Sequence, residues 1–296
     1  MMRPTRFAGA AGNILAADVW ETGGPPVMLL HGGGQTRHSW GATAERLAQE
    51  GWTACVIDQR GHGDSAWIEN GDYAFEDFGA DAAAVAYSMR ARYGAAPVTI
   101  GASLGGIASL LADGAAARKG EPRPFRALIL VDITPRVDRQ GVEKIQGFMR
   151  ANAQDGFASV EEAAEAVAGY LPHRPRPRST EGLKKNLRLR PDGRWRWHWD
   201  PRFIEGPRPV GRERPEVTEA LVDAARGLVA PTLLVRGGSS ELVAEEHVRE
   251  FLALAPHAAY VDVVGARHMV AGDANDHFSS AIGEFLHGLP PLASSG

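Results

Sequence analysis

The chain has one cysteine, Cys55, in 296 residues, so no intrachain disulfide can brace the fold. Its surroundings, Thr53-Ala54-Cys55-Val56-Ile57, are mostly apolar, and the thiol reads as strand core rather than nucleophile. No run of apolar residues is long enough to span a bilayer, so no membrane partner is expected. An early arginine is not followed by an apolar segment, which speaks against a secretory signal and makes a cytoplasmic protein the default. Lysine and arginine (32) do not outnumber aspartate and glutamate (36), and a net charge of −4 gives no reason to expect nucleic acid. His-Glu-x-x-His is absent, and Gly101 to Gly106 lacks the Lys-Ser/Thr of a phosphate loop. Neither a metal nor another cofactor is therefore expected.

With hydrophobic residues at 44% and charged residues at 23%, the composition is that of an ordinary globular protein. The length suits one large α/β domain or a core carrying an insertion. Short aliphatic runs alternate with helical patterns, the sign of a mostly parallel sheet covered by helices. The runs are Val27–Leu30, Thr53–Asp58, Val98–Ile100, Ala127–Val131, Pro231–Val235 and Tyr260–Val264. From Pro135 to about Pro215 the alternation stops, and stripes such as Val160, Ala164, Val167 and Leu171 predict short helices. The expected organisation is a core of residues 1–134 and 216–296 with a helical cap, 135–215, inserted into it. The proline- and arginine-rich stretch Pro172 to Pro177 breaks the cap helices.

Chemistry enters at Gly101-Ala102-Ser103-Leu104-Gly105. A serine between a strand and a helix sits on a tight turn that only small neighbours allow, and the helix behind it points its positive end at developing negative charge. The bland alternative is a glycine-rich strand–helix turn. Upstream, His31-Gly32-Gly33-Gly34 follows a buried strand and can present backbone N–H groups to an oxyanion. Gly33 and Leu104 are the expected donors. Of ten histidines, His268 has the right place for a general base, after the last strand in Gly265-Ala266-Arg267-His268-Met269.

These segments, together with Asp58-Gln59-Arg60-Gly61-His62-Gly63-Asp64-Ser65, resemble the α/β-hydrolase superfamily in its own order over most of the chain. The resemblance implies the α/β-hydrolase fold, a mostly parallel central sheet with an inserted helical cap, and a serine hydrolase. In such proteins the Asp58–Ser65 stretch is chiefly a structural turn. The acid usually follows the strand Leu233-Leu234-Val235, but this chain has Arg236-Gly237-Gly238-Ser239-Ser240-Glu241 there, without an aspartate. Glu241 is the nearby carboxylate. Asp132, in Leu130-Val131-Asp132-Ile133-Thr134-Pro135, resembles the acid of a subgroup of small esterases in which a later serine, here Ser240, supports it. Asp132 is the preferred acid and Glu241 the alternative.

Substrate contacts are expected from Gly34, Trp40, Phe148, Trp197, Trp199 and Met269. Trp195, Trp197 and Trp199 would share one face of an extended segment, either lining a pocket or forming the cap's own core. Basic residues outnumber acids from His173 to Arg214, which suits either an anionic ligand or a solvated surface. The triple glycine resembles the loop of esterases that accept bulky, even tertiary, alcohols. The leading expectation is a carboxylic ester hydrolase acting on a small-molecule ester, a homo-oligomer being compatible with it. Lactone, thioester, amide or C–C cleavage is the alternative, and a ligand-binding homologue without turnover is another, since fold does not fix function.

Overall fold

The computed structural model describes residues 1–172, 179–210, 214–264, 266 and 275–292. Eight strands make one sheet in the order β1 (Met2–Ala8), β2 (Ile14–Trp20), β4 (Thr53–Ile57), β3 (Pro26–Leu30), β5 (Val98–Ala102), β6 (Ala127–Val131), β9 (Thr232–Gly237) and β10 (Ala259–Val263). Neighbours from β4 to β10 are parallel, and only β1–β2 and β2–β4 are antiparallel. Strands β3, β4 and β6 are buried at every residue, as a sheet covered on both faces requires.

Period-2 alternation divides the strand residues between two cores. Met28, Leu30, Cys55, Ile57, Leu128, Leu130 and Leu234 face one side, where α2 (Phe75–Tyr93), α3 (Leu104–Lys119), α8 (Pro215–Arg226) and α9 (Glu245–Leu254) cover them. Val27, Leu29, Val56, Ile100, Ile129 and Val235 face the other, against α1 (Gly41–Gln49) and α10 (Asn275–His287). Each fully buried aliphatic side chain contributes about 1.5–3 kcal/mol, so the pattern itself holds the layers together. Cys55 is completely buried in β4, and burial pushes its thiol pKa up, which leaves it inert.

The antiparallel pair β1–β2 was not anticipated. Strand β1 is largely exposed, and β2 is buried over five consecutive residues, so neither shows a clean alternation. Between β6 and α8 the described residues add no strand to the main sheet. They form α4 (Arg139–Ala151), α5 (Val160–Tyr170), α6 (Glu181–Lys184) and α7 (Arg202–Glu205), plus an antiparallel hairpin of β7 (Leu187–Leu189) and β8 (Trp195–Trp197) that the helical stripes did not foretell. Asp138 and Ser159 start the two longer helices by accepting the backbone N–H groups of Gly141 (2.8 Å) and Glu162 (3.1 Å). Most of the stretch from Pro172 to Pro177 lies outside the described residues. No helix among the described residues is long and apolar enough to cross a membrane.

Candidate active site

Strand β5 ends at Ala102, and α3 begins at Leu104, leaving Ser103 alone to make the turn. Its φ of 47° and ψ of −111° lie in a region that L-residues rarely enter. The surrounding glycines show why. A Cβ on Gly101 would lie 2.4 Å from the Gly105 carbonyl oxygen, and one on Gly105 would lie 2.4 Å from that of Leu30. The helix therefore starts in direct backbone contact with β3 and β5. Its first residue, Leu104, has no intrahelical acceptor for its N–H, and the Ser103 side chain makes no capping bond.

The glycine loop runs beside this turn, where a Cβ on Gly32 would sit 3.5 Å from the Cβ of Ser103. Most of its polar backbone groups are engaged. Gly32 N–H donates to Gln35 Oε1 (3.0 Å), and the Gly32 carbonyl accepts from Gln35 N–H (3.1 Å) and from His31 Nδ1–H (2.8 Å). Gly34 N–H donates to His62 Nε2 (3.1 Å). Gly33 N–H meets no acceptor among the described residues, so it and Leu104 N–H are the two donors left open beside Ser103.

The charges of the Asp58–Ser65 turn are paired with residues from neighbouring segments. Asp58 accepts the backbone N–H groups of Arg37 (2.7 Å) and Asp64 (2.9 Å) and pairs with the Arg37 guanidinium. Arg60 makes a bidentate pair with Asp81, both bonds at 2.7 Å. The histidines matter more than the sequence suggested. His31 and His62 are fully buried, and burial holds their pKa values down to about 4 and about 3. Both rings are neutral, and both hold the glycine loop. Only their sequence proximity to glycine-rich turns hinted at this role.

Asp132 ends β6, next to Ser103. Ser103 N–H donates to the Val131 carbonyl (3.1 Å), and Asp132 N–H donates to that of Val235 (2.7 Å). The Asp132 carboxylate is fully buried. It accepts Gly237 N–H on Oδ1 (3.0 Å) and Ser240 Oγ–H on Oδ2 (2.6 Å). Ser240 Oγ in turn accepts the N–H groups of Leu242 and Val243, each at 3.0 Å. Glu241 is half-buried in the same loop, which packs on α4 so tightly that a Cβ on Gly141 would lie 2.2 Å from the Glu241 carbonyl oxygen. Burial and then the Glu241 carboxylate push the Tyr170 phenol up to about 12. His268 and Met269 lie outside the described residues.

The expected substrate contacts separate. Trp40 is 1% exposed and stacks on Phe278 of α10 at 6.0 Å, within the core that faces α1. It packs in that core, where the 3₁₀ turn Arg37–Trp40 ends. Phe148 stacks on Tyr170 (4.2 Å) and meets Trp197 edge-on (6.0 Å), while Trp197 also packs on Phe157 (5.2 Å). Trp199 reaches the glycine loop. Its Nε1 lies 3.7 Å from the place of a Cβ on Gly34, and Met149 Cε lies 3.0 Å from it. Gly34, at φ 76°, is thus needed both for its conformation and for this close packing, and the space its missing side chain leaves is already filled. Several cap arginines are also engaged with the core, in the pairs Arg188–Asp64 (2.8 Å), Arg208–Asp72 (3.1 Å) and Arg214–Glu76 (2.6 Å).

The α/β hydrolase fold family matches residues 25–274. Over 260 residues the chain is 30% identical to the esterase Rv0045c of Mycobacterium tuberculosis, covering 86% of this chain and 80% of that protein. Over 278 residues it is 27% identical to the 2-(acetamidomethylene)succinate hydrolase of Mesorhizobium japonicum, covering 92% of each. A crystal structure of E-2-(acetamidomethylene)succinate hydrolase superposes with a TM-score of 0.79 at 24% identity, over 97% of this chain and all of that one. The chain belongs to the α/β hydrolase family.

Proposed function

We propose that the protein hydrolyses carboxylic esters through an acyl-enzyme formed on Ser103. The observation that carries this is the strained turn at Ser103, beside two backbone N–H groups, of Gly33 and Leu104, that no protein acceptor uses among the described residues. Ser103 Oγ attacks the acyl carbon while His268, assigned from its place after β10 in the chain, takes the hydroxyl proton. The tetrahedral oxyanion receives the two N–H groups. Collapse expels the alcohol, which leaves with the proton from His268. Water then repeats the sequence, giving up a proton to His268 and releasing the acid and free Ser103.

Asp132 is the residue we assign to orient His268, with Ser240 fixing the carboxylate. Its burial at the end of the strand next to Ser103, with Ser240 Oγ–H on its carboxylate, supports this. A second reading has an independent support. The relative named 2-(acetamidomethylene)succinate hydrolase matches nearly the whole chain, which favours cleavage of another acyl bond, an amide among them, by the same residues.

The test is a panel of p-nitrophenyl esters of short and long acids, with N-acyl amides alongside, run on the wild type and on Ser103→Ala. Ester turnover that falls by about 10⁶ in the variant is expected. Equal turnover in both proteins refutes the assignment, and turnover confined to the amides selects the second reading.

A further inference from the structure

The glycine loop is held from three sides by imidazoles, and one comes from the cap. His198, 1% exposed, follows β8. Its Nδ1 faces the backbone N–H of Gly63, and its Nε2 faces the Gly34 carbonyl at 3.3 Å. A backbone N–H can only donate, so Nδ1 must be unprotonated, and the ring's single proton must sit on Nε2 and point at Gly34. The same logic fixes His62, which accepts Gly34 N–H on Nε2 and donates Nδ1–H to the Arg60 carbonyl (2.8 Å). It fixes His31 too, which accepts Gln59 N–H on Nε2 (3.0 Å) and donates to the Gly32 carbonyl. Burial, reinforced by the neighbouring imidazoles, holds His198 well below the ordinary histidine value and so keeps this arrangement neutral.

The three rings therefore act on consecutive peptides. His31 binds the peptide joining Gly32 to Gly33, which carries the open N–H. His62 binds the next, and His198 the one after. We propose that His198 is a positioning residue for the oxyanion loop, supplied by the cap, so that seating the cap aims the Gly33 N–H at the reacting carbonyl. This rests on the serine hydrolase reading. The segment bearing His198 is anchored without its side chain. His198 N–H donates to the Asn186 carbonyl (3.1 Å), Asp200 N–H to that of Gly61 (2.9 Å), and Tyr73 Oη–H to Asp200 Oδ2 (2.7 Å). Altering the ring should leave the segment in place and free only the loop.

Three variants separate the two bonds. His198→Phe keeps a ring and loses both. His198→Gln places an amide N–H near the Nε2 position and can restore the bond to Gly34. His198→Asn places an amide oxygen near Nδ1 and can restore only the bond to Gly63. With p-nitrophenyl acetate, His198→Phe should lower kcat by about 10- to 100-fold, with KM changed by less than about twofold, since a misplaced donor weakens only the transition state. Affinity for an aryl trifluoromethyl ketone, whose adduct with Ser103 carries the oxyanion, should fall by the same factor. His198→Gln should recover most of the loss and His198→Asn little. Amide hydrogen exchange over Gly32–Gln35 should quicken in the phenylalanine and asparagine variants only. An unchanged kcat in His198→Phe overturns the proposal, as does a loss that appears in KM alone or that glutamine and asparagine rescue equally. If Ser103→Ala leaves turnover intact, the hydrolase assignment fails instead, and the exchange rates alone then decide whether His198 holds the loop.

Discussion

Replacing Asp132 by asparagine removes a charge and forces a conflict of donors that the structure makes explicit. Oδ1 accepts from Gly237 N–H, and Oδ2 accepts from Ser240 Oγ–H. An amide can keep oxygen toward Gly237, and its NH₂ then faces Ser240 Oγ, whose lone pairs already take Leu242 and Val243 N–H. Turned the other way, the NH₂ meets Gly237 N–H. Either rotamer leaves a buried donor facing another, which costs about 1–3 kcal/mol beyond the lost charge-assisted bonds. Asp132→Asn should therefore lower unfolding free energy by roughly 2–4 kcal/mol, with Tm falling by about 2–4 °C per kcal/mol in a domain of this size. Adding Ser240→Ala removes the hydroxyl that the amide opposes. The double variant should then be less destabilised than the sum of the singles, with a coupling of about 1–2 kcal/mol.

Urea unfolding of the wild type, the two single variants and the double variant closes this cycle, and turnover of a p-nitrophenyl ester supplies the functional half. Asp132→Asn should lower kcat by about 10⁴, the loss that follows when the base is held in the wrong tautomer. Ser240→Ala, which only loosens the carboxylate, should lose about 10- to 100-fold. Additive stabilities would show that the hydroxyl and carboxylate do not act as a unit. If Asp132→Asn kept activity within about tenfold while Glu241→Gln abolished it, the acid would be Glu241.

Two further outcomes follow from the same geometry. Ser103→Gly should raise Tm relative to Ser103→Ala, by the equivalent of about 1 kcal/mol, because glycine enters a positive-φ turn without the strain that a Cβ brings; an equal or lower Tm refutes that strain. Burial keeps His31 and His62 neutral with pKa values of about 4 and about 3, whereas the unfolded chain takes up protons near the ordinary 6.5. Their contribution is complete above the unfolded value and is lost as pH falls from about 6.5 toward 4, so each should lower stability by about 2 kcal/mol at pH 5 relative to pH 7. Urea midpoints measured at the two pH values check this, and a midpoint that does not move refutes it.

Much of the fold was legible because buried parallel strands are short aliphatic runs that little else resembles. The segments around Met28, Val56, Ile100, Ile129 and Val235 fall in the sheet for that reason. β1 escaped because an edge strand facing water carries polar residues, and β2 because burial on both faces erases its alternation. Ser103 announced itself through glycines that must be small to let α3 touch β3. Asp132 and its helper Ser240 were named through the family resemblance rather than from local pattern, since the two lie 108 residues apart along the chain and only folding brings the hydroxyl to the carboxylate. His31, His62 and His198 were harder still. Each is a neutral ring whose partners are backbone atoms, and backbone partners leave no mark in side-chain composition.

Among the described residues, the non-glycine positions with positive φ are Ser103 at 47° and Asp132 at 50°. They end adjacent parallel strands, and each conformation costs on the order of 1–3 kcal/mol that the surroundings must overcome. The surroundings do so with backbone bonds that run stepwise across the sheet, Ser103 to Val131 and Asp132 to Val235, with Gly237 returning a bond to the Asp132 carboxylate. The sheet thus fixes both strained residues through one ladder of neighbours. A hydrolase needs its nucleophile raised from the strand end and its acid turned toward the same edge, and a relaxed strand-to-helix turn would deliver neither. That the backbone strain falls at these two residues, with a loop of glycines held by neutral imidazoles beside them, is the strongest argument that this edge of the sheet is where the chemistry occurs.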